Sequence, residues 1–383
     1  MKKGWVYKKL LDVCDFQGGA QPPKSEWVKN PQNGYVRMLQ IRDFTQSREA
    51  VPEYVKLTNK VRTCSCDDIM VGRYGASVGK ILTGLAGAYN VALMKTLPDK
   101  DYLIKPYLRF YLLSNCFQGY LTSLGGRAAQ AGFSKDDLAN LSIALPPLSE
   151  QKEIVEYLDS SFAKIDKLKE NAAKNLEEAK ALFQSALKDA LEPKEGWEEK
   201  TMDEVCILSQ GLAINSKTKH LLVEKSSIPL LRIKDMKDGT REIFVDDKNY
   251  PPKCLAHPEE LIYTRTGTLG LIFTGMFGIV HNNCFKIKLD EKILNKYYYM
   301  YFVGSDNFRN MILSIASRAA QPDITHKLFK VQKIQFPTLS EQQSIVSFLD
   351  SLNEKVNTLQ QNYSRICNEC DALKQAILRQ VFE

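Results

Sequence analysis

The stretch Leu148-Ser149-Glu150-Gln151, followed by Ile154-Val155 and Leu158-Asp159, occurs twice in this chain. The second copy reads Leu339-Ser340-Glu341-Gln342, then Ile345-Val346 and Leu349-Asp350, and proline stands shortly before each copy. The offset between the copies is 191 residues. Because a fixed internal offset is the signature of a duplicated architecture, it predicts the order globular block, helix, globular block, helix.

Each copy opens a long heptad pattern, which predicts a long helix whose first turn is capped by Ser149 in the first copy. Small residues in the first seam face large ones in the second, which favours an antiparallel coiled coil within one chain. Packing of each helix on its own block, and a homodimeric coil, are the alternatives. The predicted seam residues are Leu158, Phe162, Ile165, Leu176 and Phe183 in the first helix, and Leu349, Leu352, Val356, Leu359, Tyr363, Ile366, Leu373 and Ile377 in the second.

The expected fold class is α+β, with two mixed α/β globular blocks separated by two long antiparallel coiled-coil helices in a pseudo-two-fold internal duplication. The predicted boundaries are 1–147 for the first block, 148–192 for the first helix, 193–337 for the second block and 338–383 for the second helix. Strands are expected at 35–41, 68–71 and 261–263, and one helix in each block at 104–118 and 293–308.

Charge is distributed unevenly along the 383 residues, whose net charge is +7. The first block carries 20 Lys/Arg against 12 Asp/Glu, and the second carries 21 against 17. The two predicted helices carry 7 against 10 and 4 against 6. Basic blocks favour contact with nucleic acid, whereas the acidic helices are poorly suited to contact phosphate.

Several functional classes lack their residues in this sequence. No apolar run is long enough for a membrane span and the first residues do not form a secretory signal, so a cytoplasmic location is expected. The nine scattered cysteines indicate reduced thiols, and neither they nor the four histidines have zinc-site spacing. Residues 74–81 miss a phosphate-binding loop because Tyr74 stands where glycine is needed and Ile81 where Ser or Thr is needed. No methyltransferase loop or nuclease acid cluster is present, so the chain is expected to be non-catalytic, with no cofactor and no metal.

A glycine-bordered arginine turn follows a predicted apolar strand in each block, at Arg73-Tyr74-Gly75 and at Arg265-Thr266-Gly267. Glycine lets a backbone approach phosphate, and arginine reaches phosphate or a guanine edge. The alternative for each arginine is a solvated surface turn. The candidate DNA-binding residues are Arg37, Gln40, Arg42, Arg73, Tyr74, Ser77, Lys80, Arg127, Gln130, Arg232, Lys234, Arg265, Thr266, Thr268, Arg318 and Gln321.

The doubled Leu-Ser-Glu-Gln helix start, each copy placed after a block that opens with Gly-Trp, resembles the specificity subunit of type I restriction-modification systems. The resemblance covers nearly the whole chain. It implies that 1–147 and 193–337 are target recognition domains, each reading one half of a split, asymmetric site in double-stranded DNA. It also implies that the helices space these domains and dock two modification (methyltransferase) subunits.

The same resemblance assigns the chemistry to partners. Modification subunits would bring S-adenosylmethionine and adenine methylation, and restriction/translocase subunits would bring ATP, magnesium and cleavage. Two other interpretations stay open on the sequence: a DNA-binding scaffold or regulator unrelated to restriction, and a coiled-coil adaptor whose blocks bind protein.

Overall fold

The computed structural model describes residues 4–46, 50–124, 132–316 and 323–383. The chain forms two compact units. Unit 1 comprises Met1–Ala173 and Tyr363–Glu383, and unit 2 comprises Lys174–Asn362. The four boundaries expected from the sequence remain a prediction, since these units cut through both long helices.

The described residues of unit 1 form ten short strands and four short α-helices. The strands are β1 (Val6–Lys9), β2 (Cys14–Gly18), β3 (Tyr35–Leu39), β4 (Tyr54–Lys56), β5 (Thr63–Cys64), β6 (Met70–Gly72), β7 (Ile81–Leu82), β8 (Gly87–Tyr89), β9 (Leu93–Pro98) and β10 (Ser142–Leu145). The helices are α1 (Leu10–Val13), α2 (Ile41–Thr45), α3 (Lys105–Leu113) and α4 (Asn115–Ser123). The first long helix, α5 (Leu148–Ala190), begins in unit 1.

The described part of unit 2 repeats this inventory with one additional strand and one additional short α-helix. Its strands are β11 (Glu198–Thr201), β12 (Cys206–Gln210), β13 (Leu222–Val223), β14 (Ile228–Leu231), β15 (Phe244–Val245), β16 (Leu255–Ala256), β17 (Leu261–Thr264), β18 (Ile272–Phe273), β19 (Gly278–Val280), β20 (Cys284–Leu289) and β21 (Lys333–Phe336). Its helices are α6 (Met202–Val205), α7 (Ile233–Asp238), α8 (Lys296–Gly304), α9 (Asp306–Ala316) and α10 (His326–Lys330). The second long helix, α11 (Leu339–Phe382), begins in unit 2.

The sheets have the same strand order in both units. The sheet β2-β9-β6-β7 corresponds to β12-β20-β17-β18, and the pair β1-β10 corresponds to β11-β21. The sheet β4-β3-β8-β5 corresponds to β15-β14-β19-β16, to which β13 is added at one edge. In both, the strand before the short helix runs parallel to its neighbour, β3 with β8 and β14 with β19. This topology confirms the α+β class and the internal duplication.

The long helices pair in antiparallel fashion within unit 1. Lys169 of α5 bonds to Asp371 of α11 at 2.8 Å, and Asp166, earlier in α5, bonds to Lys374, later in α11, at 2.5 Å. In unit 2, Leu187 of α5 shares one apolar core with Leu349 of α11. Earlier residues of α5 thus pair with later residues of α11, which confirms the antiparallel interpretation for the part of the helices that lies in unit 1.

The predicted seam is only partly buried. Leu158, Ile165, Leu176 and Leu349 are buried, whereas Phe162, Phe183, Leu352, Val356, Tyr363, Ile366 and Ile377 are half-buried. Leu359 and Leu373 are 40% and 50% exposed, so they do not belong to the seam. Cys370, on the same seven-residue series as Tyr363 and Ile377, is buried; a straight helix drifts about 20° per heptad from a strict repeat, and burial passes accordingly from Ile377 to Leu378.

A buried glutamine joins the start of each long helix to its globular block. In unit 1 the Gln151 side chain is fully buried; its Oε1 accepts from the Ile104 N–H at 3.1 Å, and its Nε2 donates to the carbonyls of Tyr102 and Pro146 at 2.8 and 3.0 Å. We call this set of three bonds the glutamine latch. It explains why glutamine ends the Leu-Ser-Glu-Gln string, because its amide satisfies three backbone groups at once.

Unit 2 repeats the latch with Gln342. Its Oε1 accepts from the Asn295 N–H at 2.7 Å, and its Nε2 donates to the carbonyls of Ile293 and Pro337 at 3.0 and 2.8 Å. The expected capping by Ser149 is wrong, because α5 already begins at Leu148 and Ser149 lies inside its first turn. In α11 the residue before the helix, Thr338, accepts from the Glu341 N–H at 3.4 Å.

Two further sequence predictions are corrected. The single helix expected at 104–118 is two helices, α3 and α4, separated at Ser114; that at 293–308 is α8 and α9, separated at Ser305. Each serine has an extended backbone and donates its hydroxyl to the carbonyl three residues back, at 2.7 Å. The strand expected over 35–41 ends at Leu39, because the Asp43 carboxylate accepts from the Gln40 N–H at 2.8 Å and starts α2. No helix among the described residues is long and apolar enough to cross a membrane.

Candidate nucleic-acid interface

The predicted arginine turns are hairpin loops, each between the last two strands of a four-stranded sheet. In unit 1 the loop joins β6 to β7, and the Gly79 N–H donates to the Gly72 carbonyl at 2.9 Å. A Cβ on Gly72 would lie 2.3 Å from the Ser77 carbonyl oxygen, and Gly79 has a φ of 79°. These glycines are therefore required to close the turn.

Unit 2 closes its loop with the same backbone bonds between β17 and β18. The Gly270 N–H donates to the Thr264 carbonyl at 3.0 Å, and Gly270 has a φ of 77°. Each loop is also joined to a distant segment through its arginine carbonyl: Arg73 accepts from the Phe133 N–H at 3.2 Å, and Arg265 from the Ile324 N–H at 3.0 Å. The two arginines thus occupy equivalent backbone positions.

The Arg73 side chain has no carboxylate partner among the described residues. Its Nε is buried without a hydrogen-bond partner there, and its guanidinium carbon lies 4.8 Å from the centre of the adjacent Tyr74 ring. Tyr74 itself is 38% exposed, and Lys80, at the far end of the loop, is exposed with no ion pair among the residues that the structure describes. Ser77 is half-buried. The unit 1 loop therefore presents an arginine, a tyrosine and a lysine that are free to contact a polyanion.

The Arg265 side chain is instead bound by a carboxylate. Its Nε donates to Asp323 Oδ1 at 2.9 Å and its Nη2 donates to Asp323 Oδ2, which makes the contact bidentate. The neighbouring Thr266 is half-buried, and its hydroxyl has no partner among the described residues; Thr268 is exposed. Burial, and then the nearby Arg265, lower the pKa of His326, which favours the neutral imidazole beside the loop.

The corner between β3 and α2 is a cluster of internal ion pairs. Arg37 bonds to Asp43 at 2.6 Å, and Arg42 bonds to Glu53 at 2.6 Å. Gln40 donates to the same Glu53 at 3.3 Å. A hydrogen bond from Lys24, opposed by burial, lowers the pKa of Glu53 and keeps it ionised. These three predicted residues lie together, but much of their hydrogen-bonding capacity is spent inside unit 1.

The corresponding corner between β14 and α7 has the same character. Arg232 forms a bidentate pair with Asp235 at 2.6 and 2.8 Å and also bonds to Glu242 at 2.7 Å. Lys234 bonds to Glu242 at 3.0 Å and is exposed. The two carboxylates, Asp235 first, raise the pKa of Arg232.

Four predicted residues, Arg127, Gln130, Arg318 and Gln321, lie outside the described residues. Sequence reasoning also missed five carboxylate partners that the structure brings to these sites: Asp323 at Arg265, Asp43 at Arg37, Glu53 at Arg42, and Asp235 and Glu242 at Arg232. Asp323 is 58 residues from Arg265, so no local pattern points to the pair. Within the described ranges, no group of three His, Cys, Asp or Glu side chains is placed to hold a metal ion.

Duplicated units with paired arginine loops and two long helices match a known family. The model of the type I restriction modification DNA specificity domain matches residues 2–178 and again 194–366. The chain belongs to this family, whose general function is recognition of a DNA site. The prediction of a type I specificity subunit is thereby confirmed, in preference to a scaffold or adaptor unrelated to restriction.

Curated relatives match over nearly their full length. The specificity subunit of the type I restriction enzyme StySPI from Salmonella potsdam is 21% identical, over 100% of this chain and 89% of its own. That of EcoKI from Escherichia coli K12 is 20% identical over the same shares. The MjaVIII specificity subunit from Methanocaldococcus jannaschii is 22% identical over 92% of this chain and 87% of its own.

Solved structures show the same fold. A chain from work on complex assembly and conformational transition of the type I R-M system superposes with a TM-score of 0.78 at 18% identity, covering 99% of this chain and 98% of that one. The HsdS subunit from Thermoanaerobacter tengcongensis gives a TM-score of 0.60 at 18% identity, covering 100% and 97%.

Proposed function

We propose that this chain selects a bipartite, asymmetric site in double-stranded DNA, with each unit reading one half-site through its arginine loop. The observation that carries this proposal is the pair of loops at Arg73 and Arg265, which share a backbone frame but differ in side-chain chemistry. Arg73 is free of carboxylates among the described residues and lies beside an exposed tyrosine, whereas Arg265 is held by Asp323. Loops that differ in this way are expected to read different sequences.

The first test measures how the affinity for DNA depends on the salt concentration. Neutralising phosphates releases counterions, so affinity is expected to fall roughly a thousandfold or more between about 50 and 200 mM salt if six or more phosphates are contacted. Fluorescence anisotropy of a labelled DNA duplex, with the chain bound to its modification subunits, measures how the affinity falls as the salt concentration rises. An affinity for DNA that does not depend on salt would contradict binding through phosphate contacts.

The two half-sites are then separated by substitution. Arg265→Ala is expected to weaken binding at one half-site by about 1 to 3 kcal/mol and to leave the other unchanged, and Arg73→Ala the reverse. The readout is competition by duplexes scrambled in one half-site at a time. Equal loss at both half-sites for either variant would show that the loops do not divide the reading.

We further propose that two modification subunits dock on an apolar pattern repeated in the long helices. Most of the large exposed apolar side chains of these helices fall into three pairs at the 191-residue offset of the duplication: Tyr157 with Phe348, Leu168 with Leu359, and Leu182 with Leu373. Tyr157 and Leu168 are 11 residues apart, close to three helical turns, so they lie on one face of α5 within unit 1. Phe348 and Leu359 repeat this face on α11 within unit 2, so each unit offers one equivalent surface.

Matched variants test this docking. Tyr157→Glu with Leu168→Glu is expected to remove one modification subunit, and Phe348→Glu with Leu359→Glu the other, because a charge placed in an apolar interface is left unpaired. Native mass spectrometry of the reconstituted complex counts the subunits. Lys152→Glu, an exposed charge reversal on another part of α5, is the control and should leave two. Retention of both subunits by either double variant would discard the surface.

Catalysis is proposed to belong entirely to partners. Modification subunits supply S-adenosylmethionine chemistry on adenine, and restriction/translocase subunits supply ATP- and magnesium-dependent cleavage, while this chain provides binding and orientation. We place the working complex in the cytoplasm, where its DNA substrate lies. Methylation by the isolated chain in the presence of S-adenosylmethionine would refute this division of labour.

A further inference from the structure

The Arg265–Asp323 pair fixes the guanidinium of the unit 2 loop in one orientation. A bidentate contact restrains both rotation and tilt of the planar group, which a single bond does not. The backbone reinforces it, because the Ile324 N–H, adjacent to Asp323, donates to the Arg265 carbonyl at 3.0 Å. Arg265 keeps 19% of its side-chain surface exposed and Asp323 keeps 30%, so the pair lies at the surface of unit 2.

The pair leaves a defined set of donors unused. A guanidinium has five N–H donors, and Asp323 takes the Nε hydrogen and one of the two on Nη2. The remaining three lie on Nη1 and on the outer side of Nη2. Two of these point in parallel along the outer edge, which is the arrangement that binds guanine O6 and N7 in the major groove.

Unit 1 provides an internal comparison. Gly132 stands at the position of Asp323, one residue before the N–H that bonds to the arginine carbonyl. It has a φ of 76°, and a Cβ there would lie 2.2 Å from the Arg73 carbonyl oxygen, so an aspartate does not fit. Among the residues that the structure describes, Arg73 therefore has no equivalent restraint, and it lies against its neighbour Tyr74.

We propose that Asp323 is a positioning residue that presents Arg265 to a guanine, so that guanine preference in the half-site read by unit 2 depends on Asp323. This rests on the proposed DNA recognition. An unrestrained arginine still attracts phosphate, but it does not hold two donors in register with one base. Removal of Asp323 therefore separates two quantities: preference for guanine falls, whereas affinity for unrelated DNA stays the same or rises, because a negative charge has left the surface.

The experiment uses the complex with modification subunits and starts by selecting bound sequences from a random DNA pool with the wild-type chain. Failure to enrich any sequence would refute the proposed function itself. Once a site is found, the next step identifies the base pair at which the Arg265→Ala variant no longer discriminates between bases. Binding is then compared on duplexes that carry each of the four bases at that position. Wild type is expected to prefer guanine by about 5- to 150-fold, as one bidentate contact allows.

Asp323→Asn is then expected to reduce that preference to less than about threefold at this base pair alone, with the other half-site and the affinity for scrambled DNA not reduced. Arg265→Lys, which keeps the charge but not the fork, should behave in the same way, and Asp323→Glu should restore part of the preference. A merely structural role predicts instead equal losses at every position. Guanine preference retained in Asp323→Asn, a base other than guanine at this position, or a uniform loss would overturn the proposal. If Asp323→Asn does not fold, Arg265→Lys decides by the same criteria.

Discussion

Gln342→Leu removes the glutamine latch of unit 2 with little change in side-chain volume. The substitution leaves the N–H of Asn295 and the carbonyls of Ile293 and Pro337 without the partners they have at 2.7, 3.0 and 2.8 Å. At a net value of about 1 kcal/mol for each of three hydrogen bonds, the free energy of unfolding is expected to fall by roughly 3 kcal/mol. Asn295 also caps α8 by accepting from the N–H of Tyr297 at 2.9 Å, so the loss extends to that helix.

Gln343→Leu is the matched control, since it makes the same change one residue later. Gln343 is exposed and accepts only from the Asn295 side chain at 2.9 Å and donates to Ser347 at 3.4 Å, so we expect a change within about 0.5 kcal/mol. Urea unfolding followed by tryptophan fluorescence compares the two. With a urea dependence of about 1 to 3 kcal/mol per molar, the Gln342 variant should unfold at least about 1 M earlier. Equal midpoints for the two variants would refute the latch as a source of stability.

Two further predictions concern charge and length. Asp68 is raised in pKa by burial but lowered more strongly by Lys105, by the Ser65 N–H and hydroxyl and by Lys95, to about 2 against an ordinary 3.8. Because the folded-state pKa is the lower one, this carboxylate stabilises the fold above about pH 4 and loses that effect as the pH falls toward 2. Asp68→Asn should therefore lower the free energy of unfolding by about 2 kcal/mol at pH 7 and by progressively less in acid. A difference between wild type and variant that does not depend on pH would contradict the assignment. Four residues inserted after Ala173 add about 6 Å and 40° to α5, and selection from a random pool should then return a different gap between half-sites, whereas an unchanged gap would mean that the helix does not set it.

The sequence predicted the duplicated parts well because their signals are local and repeated. The heptad pattern located α5 and α11, and the glycines beside Arg73 and Arg265 located both hairpin loops. The breaks at Ser114 and Ser305 carry no proline. At each break the serine hydroxyl donates to the carbonyl three residues earlier, which the sequence does not distinguish from an ordinary helical serine.

The site was predicted less completely because its partners are distant in sequence. Arg37, Arg42 and Arg232 were predicted to bind DNA from their charge and their place on or next to an early strand, yet each is paired with a carboxylate inside its own unit. The pairing of Arg265 with Asp323 likewise depends on tertiary contact. The glutamine latch was not predicted, although Gln151 and Gln342 stand at the same place in the repeated string.

The glutamine latch contacts only main-chain atoms of the globular block: one N–H and two carbonyls in each unit. Every amino acid supplies a main-chain carbonyl, and every one except proline supplies an N–H, so these hydrogen bonds do not depend on which side chains surround the glutamine. A globular block can accumulate substitutions, or be replaced by a different block through recombination, and still form the same three hydrogen bonds with the glutamine. Evolution and protein engineering can therefore obtain new target preferences by exchanging globular blocks while the long helices stay unchanged.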